Sequence, residues 1–431
     1  MKRLATLFLS SIALAVAPAA AETVAITGGK LVVGDGSAPV EGGTVILRNG
    51  RVVAAGSNIA IPANARRIDA AGKWVTPGIF AGFSRVGLVE VGAVRATNDT
   101  RAADSVFSAA LDVQYAVNPF AAPVAVNRAA GVTRAVVSPS TGKSIFGGYG
   151  AIVDLGQDSN PITQARAFQF VELGETGHRR AGGSRAAAHI LFRAMLNEAR
   201  TYARNPALFD SDMMKASDAK ALLPVLNGKT RLLVHANSAN DILKVIELRK
   251  DFPALKLVLV GANEGWRVAN SIAASKIPVL ASALSDLPYS FEDLSATQSN
   301  IGRMKKAGVQ VAIGMINDRD AHQLRYSMQY AGNLVALNNV PRATGLSWDE
   351  AFAAISSKPA EIMGMGGKLG SLKAGRQGDV VIWTGDPLEL STQVERVFID
   401  GVEQSLSNRQ QRLRDRYRTP QPGNLPKAYD R

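Results

Sequence analysis

The sequence predicts an α/β protein, a closed βα barrel with one small β domain assembled from the two chain ends. Three observations carry this. Apolar β-type runs recur through the middle of the chain at residues 131–138, 231–236, 255–260, 277–280 and 309–314. Helix-length segments with i, i+3, i+4 apolar spacing lie between them, at 241–251, 264–274, 300–307 and 321–337. Short strands and tight turns occupy both ends. Strands that alternate with helices argue for parallel βα units, and runs apolar on both faces suit strands buried on both faces. A barrel is the simplest container for such a stretch.

The first 21 residues read as a secretory signal peptide. Lys2 and Arg3 form a positive start, an apolar run follows from Leu4 to Val16, and Ala19-Ala20-Ala21 supplies a small-residue cleavage site near Ala21. The run is shorter than a membrane span requires. A periplasmic or secreted protein is therefore expected, with no transmembrane segment. Residues 22–75 are expected to form the N-terminal part of the small β domain. Thr44–Arg48 and Arg51–Ala55 flank Asn49-Gly50; a type I′ turn needs positive φ at both central positions, which Asn-Gly tolerates, so this is a hairpin. Residues 76–368 are assigned to the barrel. Ser347-Trp348-Asp349-Glu350 is a capping box that opens the helix expected over 348–356. Residues 369–405 return to β structure, with a strand at Asp379–Trp383 and a second hairpin at Asp400-Gly401. Residues 406–431 form a basic tail carrying Arg412, Arg414, Arg416 and Arg418.

Composition excludes several chemistries. The chain of 431 residues has no cysteine, which removes disulfides, thiolate–zinc sites, iron–sulfur clusters and cysteine nucleophiles. It is 46% hydrophobic and 20% charged, as globular chains are, so wholesale disorder is excluded. No P-loop, Gly-x-Ser-x-Gly or His-Glu-x-x-His string appears. The formal charge of +13 would make nucleic acid a partner to consider, but an exported chain without a recognition motif argues against it.

Several motifs, in order, resemble the amidohydrolase superfamily, in particular imidazolonepropionase-like members. Val75-Thr76-Pro77-Gly78 is similar to the family's exit from its β-sandwich into barrel strand 1. Leu369-Gly370-Ser371-Leu372 followed by Gly375 and Gly378-Asp379-Val380-Val381 resembles the return, with Gly378 where the family has Ala. Val234-His235-Ala236-Asn237 with Asp241 is similar to the stretch at strand 5, and Trp348–Phe352 with Lys358-Pro359-Ala360 to the helix before the return. The resemblance implies a TIM-like (β/α)8 barrel with a composite β-sandwich, and hydrolysis of non-peptide C–N bonds. It implies zinc or another divalent metal held by His-x-His after strand 1, a His after each of strands 5 and 6, and an Asp after strand 8.

That ligand set departs from the family pattern at most positions. Phe83 and Arg85 stand where the strand 1 histidines belong, and Ala81 where its aspartate belongs. Leu257–Asn263 has no histidine. His235 is retained, and Asp318 follows strand 8 two residues late. An Arg offers only donors and a positive charge, and a zinc site takes three or four protein ligands. No resident metal is therefore expected. His235 and Asp318 are the candidate catalytic residues, and Arg85 and Asn237 the candidate ligand-binding residues. Arg85 has two roles open to it: pairing with Glu90, Asp318 or Asp320, or binding an anionic group bidentately. His178 is read as part of a basic loop, His189 as a packed helix residue, and Gly182-Gly183-Ser184 as an ordinary helix entry. Three functions remain: a hydrolase of weak or unconventional activity, a non-catalytic protein that binds a small anionic molecule, and a homo-oligomer or partner subunit of an active homologue.

Overall fold

The computed structural model describes residues 22–283, 285–317 and 321–418. The predicted signal peptide, Asp318, Asp320 and tail residues 419–431 lie outside the described residues.

The chain opens with β1 (Thr23–Leu31), β2 (Val40–Arg48), β3 (Arg51–Gly56), β4 (Arg66–Asp69) and β5 (Trp74–Pro77). It ends with β14 (Val380–Trp383), β15 (Val394–Ile399) and β16 (Val402–Gln404). These form one sheet in the order β16-β15-β14-β5-β1-β2-β3, with β4 also on β1. The two chain ends meet where β14 pairs antiparallel with β5, Val380 opposite Pro77. Val24, Ile26, Val45, Leu47, Ile382 and Phe398 give this sheet a core of its own. Both predicted turns adopt positive φ, Asn49-Gly50 at 52° and 75° and Asp400-Gly401 at 50° and 73°. Their tips meet over Gly378, whose N–H donates to Gly50 O at 2.8 Å and whose carbonyl accepts from Gly401 N at 2.9 Å. A Cβ at residue 378 would stand 3.0 Å from Gly401 N. This crowding accounts for glycine where the family has alanine.

The second sheet runs β13-β12-β11-β10-β9-β8-β7-β6. Its strands are β6 (Ile79–Ser84), β7 (Val132–Val137), β8 (Phe146–Asp154), β9 (Ile162–Glu172), β10 (Arg231–Ala236), β11 (Lys256–Gly261), β12 (Val279–Ala281) and β13 (Val311–Ile313). The barrel nearly closes between β6 and β13. Met315 N donates to Phe83 O at the top, while Phe80 N and Ile313 N donate to Ile355 O and Ala354 O below. Phe80, Val136, Phe168, Leu233, Val258 and Leu280 fill the interior. The helices are α1 (Ala122–Ala129), α2 (Glu175–Arg180), α3 (Arg185–Arg204), α4 (Ala216–Leu226), α5 (Ala239–Asp251), α6 (Ala269–Ser275), α7 (Asn300–Lys306), α8 (Tyr326–Ala336), α9 (Trp348–Ala353), α10 (Ser357–Ile362) and α11 (Arg409–Arg418). The capping box at Ser347 and Glu350 is present with both of its hydrogen bonds.

Two expectations are corrected. β8 runs antiparallel to both β7 and β9. Only residues 138–145 separate β7 from β8, and a parallel crossover needs about a dozen or more residues. The helix expected from residue 321 begins at Tyr326, so residues 321–325 are free to turn at the barrel mouth.

Sheet and barrel are clamped by Arg134 on β7, which is 2% exposed. Its Nε and Nη2 donate to the two carboxylate oxygens of Asp379 at 2.7 and 3.0 Å. Asp400 lies at 2.6 Å, and Nη1 donates to Thr163 Oγ1 at 2.8 Å. The Asp379 of the return motif thus locks the end of the small sheet to barrel strand 2.

Candidate functional site at the barrel mouth

The C-terminal ends of β6, β9 and β10 bring together residues that sequence spacing does not relate. Phe83, the last inward residue of β6 before the mouth, is 1% exposed. Its ring packs on Phe170 of β9 with centroids 5.8 Å apart, closing the apolar interior from above. Arg85 follows, 9% exposed. Its backbone N–H donates to Ala321 O at 2.6 Å, which ties strand 1 to the segment after strand 8. Burial draws the guanidinium down to about 10, opposed by the charge of Glu172, so Arg85 is a cation at neutral pH.

Glu172 ends β9 and faces two cations. Its Oε2 lies 2.7 Å from His235 Nδ1. Burial by itself would lower the His235 pKa. The Glu172 carboxylate outweighs it, Glu292 adds to the rise and Arg85 opposes it, and the imidazole is lifted to about 9. Behind this pair, Asn237 Nδ2 donates to Glu292 Oε1 at 3.0 Å, and Glu292 Oε2 accepts from Glu175 N at 2.6 Å. Gly261 makes this packing possible. It sits at φ +90°, and a Cβ there would lie 2.3 Å from Asn237 Oδ1 and 3.1 Å from His235 Nε2.

In front of Arg85 and Glu172 opens a cleft of about 780 Å³, within the roughly 300–1,000 Å³ range of small-molecule sites. Among the described residues, five arginines line it, Arg85, Arg95, Arg101, Arg179 and Arg180, against two carboxylates, Glu172 and Asp104. Asp104 is also within 3.7 Å of Lys143. A cleft with this imbalance concentrates anions.

The sequence-predicted site residues fall out unevenly. Arg85 and His235 come together through Glu172. Asn237 is next to them but bonds Glu292 and does not line the cleft. Glu90 is not the partner of Arg85: its carboxylate accepts from Ala122 N at 2.8 Å and caps α1. Asp318 and Asp320 lie outside the described residues. His322 lines the cleft, and its carbonyl accepts from Asn127 Nδ2. The basic loop expected around His178 is instead α2, and His178 is 6% exposed, its Nε2 3.9 Å from Asp241. Burial lowers its pKa. Ser184 caps α3 as an ordinary helix entry, accepting from Ala187 N at 3.1 Å. Glu172 and the rim arginines were not read as site residues from sequence. The signal available for Glu172 was a carboxylate directly after Phe168-Gln169-Phe170-Val171.

Metal-ligand chemistry is poorly served at this mouth. Phe83 offers no lone pair, Arg85 offers donors only, and Glu172 and His235 face one another. Among the described residues, no three His, Asp or Glu side chains form a group that could hold a metal ion. No helix among them is long and apolar enough to cross a membrane.

Comparison with known proteins places this architecture. The model of the amidohydrolase family matches residues 245–403. The imidazolonepropionase of Acidiphilium cryptum (strain JF-5) is 26% identical over 415 residues, covering 84% of this chain and 94% of that protein. The amidohydrolase tasK of Hapsidospora irregularis is 22% identical over 382 residues; these cover 80% of this chain but 38% of that relative, so the chain spans well under half its length. A crystal structure of an amidohydrolase from Thermotoga maritima MSB8 has the same fold, with a TM-score of 0.77 at 24% identity, covering 88% of this chain and 99% of that one.

Proposed function

This chain belongs to the amidohydrolase superfamily of hydrolases, and on that premise we propose that its barrel mouth binds a small anionic molecule on a metal-independent cluster of charges. In this reading, the superfamily's metal-water hydrolysis of non-peptide C–N bonds is lost or replaced. One observation carries it: the buried Arg85 stands beside Glu172, which is itself bonded to His235 at 2.7 Å.

The residues present do not fit the divalent metal that the superfamily uses. A guanidinium supplies a positive charge where a dication would sit, and zinc sites need three or four donors. The cluster also lacks the character of a general base. A base works best with a pKa near the working pH, whereas His235 is held as imidazolium and Glu172 Oε2 is engaged by it at 2.7 Å. What this arrangement does well is stabilise negative charge. A guanidinium can grip a carboxylate or phosphate bidentately, and Arg85 brings one to the cleft beside Glu172. An exported setting, inferred from residues 1–21, belongs to the same reading.

Thermal unfolding of the purified protein tests this. A ligand that binds only the native state raises the melting temperature. Inorganic phosphate is expected to raise it, and Arg85→Met to abolish the rise; zinc is expected to leave it unchanged. A rise with zinc and none with phosphate would reverse the reading.

A further inference from the structure

We propose that the cleft is built for an elongated, hydroxylated molecule with an anionic group at each end. The proposal rests on the anion-binding reading above and adds the number and placement of the charges.

The cations occupy two depths. Arg85 is buried on the floor, at the end of β6. Arg95 and Arg101, on the segment that follows β6, and Arg179 and Arg180, on the last turn of α2, are exposed at the rim. The rim pairs come from segments far apart in the chain and line one cleft. Among the described residues, Arg179 pairs with Glu175 of its own helix, 3.6 Å away. The same cleft is also lined by small hydroxyl side chains. Thr100 and Thr141 are buried there, 8% and 3% exposed, with Ser140 beside them.

Size separates one anion from two. About 780 Å³ is roughly 25 water volumes at about 30 Å³ each. A phosphate ion fills only a small part of so large a space. A chain of several hydroxylated carbons with a phosphate or carboxylate at either end can reach both levels, giving its charges to arginines and its hydroxyls to the threonine and serine wall. Arginine at both levels, rather than lysine, fits planar, bidentate recognition of such groups.

Isothermal titration calorimetry at fixed ionic strength tests this with fructose 1,6-bisphosphate and galactaric acid as two-headed probes. Fructose 6-phosphate, pyrophosphate and inorganic phosphate serve as one-headed or compact controls. At least one two-headed probe is expected to bind about tenfold or more tightly than every control, the size of one added charged hydrogen-bonded contact; which one it is distinguishes phosphate from carboxylate ends. The exposed double variant Arg179→Ala/Arg180→Ala is expected to bring that probe down to the affinity of the controls and to weaken phosphate binding far less. Equal affinities for two-headed probes and controls would overturn this inference and leave the anion-binding reading standing. Absence of binding by every anion, phosphate included, would overturn both.

Discussion

Replacing Glu172 with Gln tests the charge cluster from within. The substitution keeps the side chain's shape and removes the carboxylate that Arg85 and His235 face. His235 Nδ1 lies 2.7 Å from Glu172 Oε2. Raising an imidazole from 6.5 to about 9 corresponds to about 3 kcal/mol at ~1.4 kcal/mol per pKa unit. Because the folded value is raised, this stabilisation is complete below the unfolded value of 6.5 and is lost as pH rises through about 9. Glu172→Gln should therefore cost about 3 kcal/mol at pH 6, in line with the ~3–5 kcal/mol seen when a buried pair loses one partner. The gap to the parent should narrow by pH 10. A remainder should persist there, because Arg85 keeps much of its charge and has lost the same carboxylate. Urea denaturation followed by tryptophan fluorescence at pH 6, 8 and 10 measures the gap. A difference below about 0.5 kcal/mol at pH 6, the scatter of ordinary surface substitutions, would refute the reasoning. So would a gap that widens with pH.

Two other substitutions probe the scaffold. Asp379→Asn leaves Arg134 buried without its bidentate partner, so a loss of about 3–5 kcal/mol is expected. The double variant Arg134→Met/Asp379→Asn should recover part of it, and a double-mutant cycle by denaturation showing no coupling would contradict the clamp. Gly261→Ala forces a Cβ to 2.3 Å from Asn237 Oδ1 at φ +90°. It should cost at least about 1–3 kcal/mol and shift the His235 ring resonances by NMR; unchanged stability and resonances would show that the packing behind the cluster is looser than described.

Local chemistry was legible in the sequence, and juxtaposition was not. Asn49-Gly50 dictates its own turn through φ, and Ser347 and Glu350 satisfy each other within one helical turn, so both features follow from adjacent residues. The barrel strands at 231–236 and 256–261 follow from the apolar stretches Leu232–Val234 and Leu257–Val260. The strand at 146–154 was missed because Gly147, Gly148 and Gly150 break its apolar pattern; its antiparallel direction could have been inferred from the short connection before it. Arg85, Phe83 and His235 stood out because the family motifs fix their register. Their partner Glu172 lies 63 residues from His235, and Asp379 lies 245 from Arg134. Only the closed sheet makes such pairs neighbours.

We propose that Arg85, a cation of the chain itself, stands in for the metal of related hydrolases. The most direct test is elemental analysis of protein expressed with supplemented zinc, manganese and iron and then dialysed without chelator. The account predicts no stoichiometric divalent metal and an unfolding curve that EDTA leaves unchanged. One tightly held divalent ion per chain, whose removal lowers the melting temperature, would contradict it.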